Sequence, residues 1–177
     1  MFVHDLAMPR TKTIPDIAIF TAVRGLLASG GDRSVSFATV AKATSLAPPT
    51  LVQRFASRDG MVKAALLAAW DTLDATTATA IGATADKGPQ SLLKALGDTT
   101  GGANRSLLTL DFRDEDLRLR AARWRATVES ALALRLGSGV KGREAASLLF
   151  AAWQGQALWL AAGGSGFRLK DAVKRLT

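Results

Sequence analysis

Apolar residues in the first third of the chain recur with helical spacing. Ile19, Ala22, Val23, Leu26 and Leu27 fall at i, i+3, i+4, i+7 and i+8, one face of an amphipathic helix. Pro15 suits the first turn of that helix, and Gly30 and Gly31 end it, because glycine accepts the left-handed conformation that follows a helix. Ser36 is the predicted N-cap of a second, short helix with Phe37, Val40, Ala41 and Thr44 on one side. Thr44-Ser45 followed by Pro48-Pro49 cannot continue it. Prolines fit the first turn of a helix, so a third starts near Ala47 or Pro48 and runs to about Phe55, with Leu51 and Phe55 inward. Ser57 caps a fourth helix, with Asp59 at its positive end; it runs from about Arg58 to Ala80 and carries Met61, Leu66, Trp70 and Leu73.

A short helix, a turn of three or four residues and a second short helix is the arrangement of a helix-turn-helix. Small Ala41 lets the two helices approach closely, and Leu46 and Leu51 plug the space between them. Ser45 stands at the tight-turn position where glycine is commoner. An ordinary αα-hairpin has similar apolar spacing, so spacing alone leaves both readings open.

The remainder of the chain also reads as helical. Gly82 to Pro89 is a predicted break, Ser91–Gly97 a short helix, and 98–104 a loop rich in Thr and Gly. A helix is predicted over Leu107–Ala122, on which Asp114/Arg118 and Asp116/Arg120 form i, i+4 pairs on a solvated face. Further helices are predicted over Arg123–Leu136, Gly142–Ala162 and Leu169–Leu176. The stretch from Phe150 to Leu160 is apolar nearly all round and requires burial on more than one side.

Composition agrees with an all-α protein: hydrophobic residues make up 48% of the 177, aromatics 6%, and Ala and Leu dominate. The net charge of +8 favours polyanionic partners. Up to Trp70 the net charge is +4, so the shorter N-terminal part is the denser in positive charge. With no Cys, disulfides and thiolate chemistry are excluded. Met1–Arg10 lacks the apolar core of a signal peptide, and runs such as Ala64–Trp70 fall short of the roughly 20 residues that span a membrane. The expectation is a soluble cytoplasmic protein associated with the nucleoid, with no membrane partner and no cofactor.

Over Ile14–Leu67 the sequence resembles the TetR family of bacterial transcriptional regulators. The Ile19–Leu27 helix, Gly31, Ser36 where Thr is usual, Val40-Ala41, Leu46, Thr50-Leu51, Phe55 and Ser57-Arg58-Asp59 occur in order without a gap. The resemblance implies a flexible basic arm (1–13, with His4, Arg10 and Lys12), a three-helix DNA-binding domain (14–60), and a helical regulatory and dimerisation domain (61–177). It places Ala47, Pro48, Pro49, Thr50, Val52, Gln53 and Arg54 on the recognition helix. Ser36 and Thr39 then lie near the sugar-phosphate backbone, and Arg58 stands where a phosphate-binding lysine is usual. Recognition helices present their N-terminal residues to base edges. Thr50 can meet a thymine methyl, Gln53 can pair with adenine, and Arg54 with guanine or a phosphate.

Three departures bear on DNA binding. Val52 replaces a Tyr whose hydroxyl reaches phosphate, Pro48-Pro49 removes two backbone donors, and Ala47 removes a capping Ser. They fit either a variant that binds DNA through other groups or a module with weakened recognition. The resemblance also implies a four-helix dimer interface from the late helices, for which Ala151, Ala152 and Gly155 permit close approach. It implies a pocket for a small apolar or amphipathic effector, with Trp70, Phe112, Trp124, Trp153, Gln154, Gln156 and Trp159 as candidates. The expected function is a dimeric, ligand-responsive repressor of a palindromic operator. The alternative is a helical ligand- or protein-binding module with weakened or lost DNA recognition. An enzyme is disfavoured: there is no Tyr or Cys, the one His lies in the N-terminal arm, and no phosphate-binding loop follows a strand.

Overall fold

The computed structural model describes residues 14–108, 114–137, 139–160, 162–163, 166 and 168–176, with the side chains of 99–108, 160 and 176 set aside. Among the described residues there are eight α-helices, one turn of 3-10 helix and no strand. They are α1 (Asp16–Gly30), the 3-10 turn (Asp32–Ser34), α2 (Phe37–Thr44), α3 (Pro48–Phe55), α4 (Arg58–Ala83), α5 (Pro89–Leu108), α6 (Glu115–Leu136), α7 (Val140–Leu160) and α8 (Leu169–Leu176). The chain divides into two compact units, with the boundary between Ala65 and Leu66 inside α4.

The first unit is built from short helices with well-defined ends. Ile19, Val23 and Leu27 bury one face of α1, and Gly31 ends it at φ 68°, its N–H donating to the Leu27 carbonyl. Ser36 starts α2 with a reciprocal cap: its hydroxyl accepts from the Thr39 N–H, and the Thr39 hydroxyl accepts from the Ser36 N–H. Val40, Ala41 and Leu51 complete the buried centre, and Phe20 packs on Phe55 with ring centroids 5.9 Å apart.

The second unit departs from the sequence expectation in three places. The helix expected from Leu107 starts at Glu115, with Arg120 paired to Asp71 and Asp74 of α4. The segment 98–104, expected as a loop, continues α5, so one helix runs from Pro89 to Leu108. Its first half is anchored by Leu92, Leu93 and Leu96, all fully buried. Tertiary burial of this kind outweighs the cost of roughly 1 kcal/mol that each helical glycine carries. The expected division near Ala122 is also absent, and α6 is one helix from Glu115 to Leu136. The Asp114 carboxylate caps it, accepting from the N–H groups of Asp116 and Leu117. Residues 109–113, which include Phe112, lie outside the described residues, as does the arm 1–13.

The core of the second unit holds a chain of rings. Trp70 meets Trp124 at 6.0 Å, Trp124 meets Phe150 at 5.7 Å, and Phe150 meets Trp153 at 6.1 Å. Trp124 also donates its Nε1–H to the buried Thr77 hydroxyl at 2.8 Å, so its polar edge is satisfied. Arg120 joins Asp71 and Asp74 of α4. Arg135 donates to the Ile81 and Thr84 carbonyls, placing a cation at the negative C-terminal end of α4. The turn between α6 and α7 is tight: a Cβ at Gly142 would collide with the Gly137 carbonyl oxygen.

Candidate nucleic-acid interface

The turn between α2 and α3 depends on one residue in an uncommon conformation. Ser45 has φ 56° and ψ 30°, the left-handed region, and its N–H closes on the Ala41 carbonyl. The Leu46 N–H reaches the same carbonyl at 3.1 Å. The chain then extends through Ala47 and enters α3 at Pro48-Pro49. Neither proline has an N–H, and the Thr50 N–H donates to the Ala47 carbonyl at 3.0 Å. The first three residues of α3 therefore present no free backbone donor, which removes the anion site a helix N-terminus usually offers.

Leu51 is fully buried and Phe55 half-buried, which fixes the orientation of α3. Pro49, Val52 and Gln53, at i, i+3 and i+4, then share one exposed face, with Val52 45% exposed. Pro48 and Ala47 are exposed beside them, and Thr50 is half-buried.

The two arginines expected at DNA both donate to groups of the protein itself. Arg54 Nη1 donates to the Ile14 carbonyl at 2.8 Å and to Asp16 Oδ1 at 3.2 Å, tying α3 to the start of α1. All three guanidinium nitrogens of Arg58 have partners. Nε donates to the Val35 carbonyl at 3.2 Å, Nη1 to Asp59 Oδ1 at 2.7 Å, and Nη2 to the Asp32 carbonyl and carboxylate at 2.5 Å each. The side-chain hydrogen bond to Asp32, and then that to Asp59, hold the Arg58 guanidinium above its ordinary range. A raised basic group contributes stability that is complete below the unfolded-state value and lost only above it. This tie is therefore constant across neutral and mildly alkaline pH.

The junction of α3 and α4 is a γ-turn. Ala56 has φ 61° and ψ −45°, and the Ser57 N–H donates to the Phe55 carbonyl at 2.7 Å. A Cβ at Gly60 would lie 2.6 Å from the same carbonyl oxygen, so the turn requires glycine there. Ser57 caps α4, its hydroxyl accepting from the Gly60 N–H at 2.9 Å.

On α2, Ser36 is half-buried and Thr39 exposed, their hydroxyls engaged in the cap. One cation on this helix was not singled out from the sequence. Lys42 is exposed one turn after Thr39, and the i, i+3 spacing of a hydroxyl and an amine on a polar face is the signal that identifies it.

Of the residues expected at an effector pocket, Trp70, Trp124 and Trp153 share the buried ring chain, and Phe112 lies outside the described residues. Trp153 and Gln156 line a cleft of about 530 Å³ between α5, α7 and α8, whose other walls include Leu93, Lys94, Asp98 and Leu169. Gln154 is half-buried, and Trp159 is exposed on α7. Ala151 and Ala152 are exposed and Gly155 half-exposed, in line with exposed Leu148, Leu158 and Trp159. Together they form an apolar stripe along α7.

No protein-family model matches the chain, and no curated protein sequence matches it. Solved structures do. The multidrug binding protein EbrR, in complex with malachite green, is similar at a TM-score of 0.70 and 22% identity, covering 93% of this chain and 96% of that one. A transcriptional regulator from Rhodococcus sp. Rha1 is similar at 0.71 and 18%, covering 92% and 94%. A TetR-like transcriptional regulator from the same organism is similar at 0.62 and 17%, covering 93% and 94%. The chain thus has, along nearly its whole length, the all-α fold of the TetR-type regulators.

Proposed function

We propose that the chain is a DNA-binding transcriptional regulator: a homodimeric, ligand-responsive repressor of a palindromic operator, released by a small apolar or amphipathic effector. The observation that carries this reading is the exposed face of α3. A helix fixed by buried Leu51, with Pro49, Val52 and Gln53 turned outward, is suited to lie in a major groove. Lys42, exposed on α2, supplies a cation for the flanking phosphates in this reading. Regulators of this fold come from Rhodococcus.

The apolar stripe on α7 supports self-association. Leu158 and Trp159 are 69% and 66% exposed, and a continuous patch of such residues marks an interaction surface. Two copies also supply the two recognition helices that a palindromic site needs, spaced about one DNA turn apart. The cleft at Trp153 and Gln156 combines an aromatic wall with amide and charged groups, the pattern of a small-molecule site. A protein of the same fold binds malachite green. An effector that favours the conformation with misaligned recognition helices would release DNA.

The test is binding of the full chain to DNA upstream of its own gene, at several salt concentrations and against random duplex. A specific site that outcompetes random duplex is expected, and its absence overturns the reading. Lys42→Gln is expected to lower the slope of affinity against salt by about one counterion.

A second reading, a helical ligand- or protein-binding module without DNA recognition, is favoured by the internal partners of Arg54 and Arg58 and by the donor-free start of α3. Val52→Tyr separates the two. A change in operator affinity in either direction rules out the second reading, while nonspecific binding before and after supports it.

A further inference from the structure

The outward trio of α3, Pro49, Val52 and Gln53, carries no cation, and this limits which bases it can read. Guanine is recognised in the major groove chiefly by Arg or Lys on its O6 and N7. The one arginine of α3, Arg54, is exposed after this trio and commits its Nη1 to the Ile14 carbonyl and Asp16 at the start of α1. What faces outward is the pyrrolidine ring of Pro49, the isopropyl group of Val52 and the carboxamide of Gln53. Apolar groups of this kind pack on the C5-methyl of thymine, and a carboxamide pairs with N6 and N7 of adenine.

We infer that α3 reads an A·T core, with Pro49 and Val52 against thymine methyls and Gln53 on an adenine edge. The inference rests on the regulator reading above and adds the chemistry of the bases. Pro48 adds a second exposed pyrrolidine ring at the start of the same helix. Phosphate binding then falls to other elements, such as Lys42 on α2.

The experiment is selection of the full-length protein on a library of duplexes with a randomised core, followed by base-analogue substitution in the selected site. Half-sites with consecutive A·T pairs are expected. Replacing a contacted thymine by deoxyuridine removes only the methyl group, and should weaken binding about three- to fivefold per methyl. Val52→Ala should abolish that sensitivity at one position while circular dichroism shows the fold intact, since Val52 is 45% exposed. Gln53→Ala should relax the preference for adenine at a different position.

A selected core of G·C pairs whose binding is lost in Arg54→Met overturns the inference and leaves the regulator reading standing. A selected A·T core that is indifferent to deoxyuridine and to Val52→Ala also overturns it. No enrichment over random duplex overturns the regulator reading and this inference together.

Discussion

The unit that ends at Ala65 and the unit that follows it are held by different forces. In the first, helices of eight residues lie beside a small apolar centre, and charged side chains close the gaps: Arg54 reaches the start of α1, and Arg58 reaches the 3-10 turn and its flanking carbonyls. In the second, helices of twenty residues or more bury a run of indole and phenyl rings, and its polar contacts sit around that run. The difference teaches what each unit does with its cations. A small unit with little apolar area to bury recruits its arginines for architecture. The trio Pro49, Val52 and Gln53 on the outward face of α3 is consequently left neutral. The larger unit has apolar surface to spare and leaves a stripe of it uncovered on α7.

Substitutions at four positions probe this contrast. The largest effect is expected from Trp124→Ala, which empties the middle of the ring chain and orphans the Thr77 hydroxyl. About 3–5 kcal/mol of stability should be lost in denaturant titration. Trp124→Phe keeps most of the packing and should cost only about 1–3 kcal/mol, the penalty of the unpaired hydroxyl. Equal losses would show that the rings themselves contribute little.

Next, Ala152→Glu places a charge on the exposed stripe of α7, and in a symmetric dimer brings two of them together. Dissociation at concentrations at least tenfold higher is expected by analytical ultracentrifugation, with no loss of helicity. Unchanged self-association would mean that this stripe is not the dimer surface.

Arg58→Met is smaller, because the arginine is partly exposed and its ion pairs are screened. A loss of about 1 kcal/mol is expected, insensitive to pH from neutral into the alkaline range where arginine stays charged. If the main effect is instead on DNA affinity at unchanged stability, Arg58 is a phosphate contact that leaves its internal partners on binding.

The smallest effect is a gain. Ser45→Gly relieves the left-handed strain at φ 56° and, after the extra entropy of glycine in the unfolded chain, should stabilise the protein by about 0.5–1 kcal/mol. The thermal midpoint should rise by about 1–3 °C. A fall would show that the Ser45 side chain contributes a contact of its own.

Much of the first unit could be read from the sequence because its helix ends are marked by chemistry. Gly31, Ser36, Pro48 and Ser57 each stop or start a helix for a local reason, and the structure puts helix ends at all four. The second unit lacks such marks. Glycines at 97, 101 and 102 suggested a loop, but buried leucines one turn earlier keep α5 helical. Nothing at Ala121-Ala122-Arg123 breaks a helix, and α6 runs straight through it. At the interface, the outward positions of Val52 and Gln53 follow from the period of α3 once Leu51 is buried. The internal partners of Arg54 and Arg58 were not legible, because Asp16 and Asp32 lie 38 and 26 positions away. No local pattern encodes a pairing at that distance.

The position of the indoles has a practical consequence. The chain has four tryptophans and no tyrosine, and all four, Trp70, Trp124, Trp153 and Trp159, follow Ala65. Tryptophan emission of the protein therefore originates in the second unit alone. Three of the indoles are linked through ring contacts, so a guest in the cleft at Trp153 should quench or shift their shared emission, while the first unit contributes no indole of its own. The unmodified protein is thus its own fluorescent reporter for effector binding, and a comparison of emission with far-ultraviolet dichroism on heating will show whether the two units melt together or in sequence.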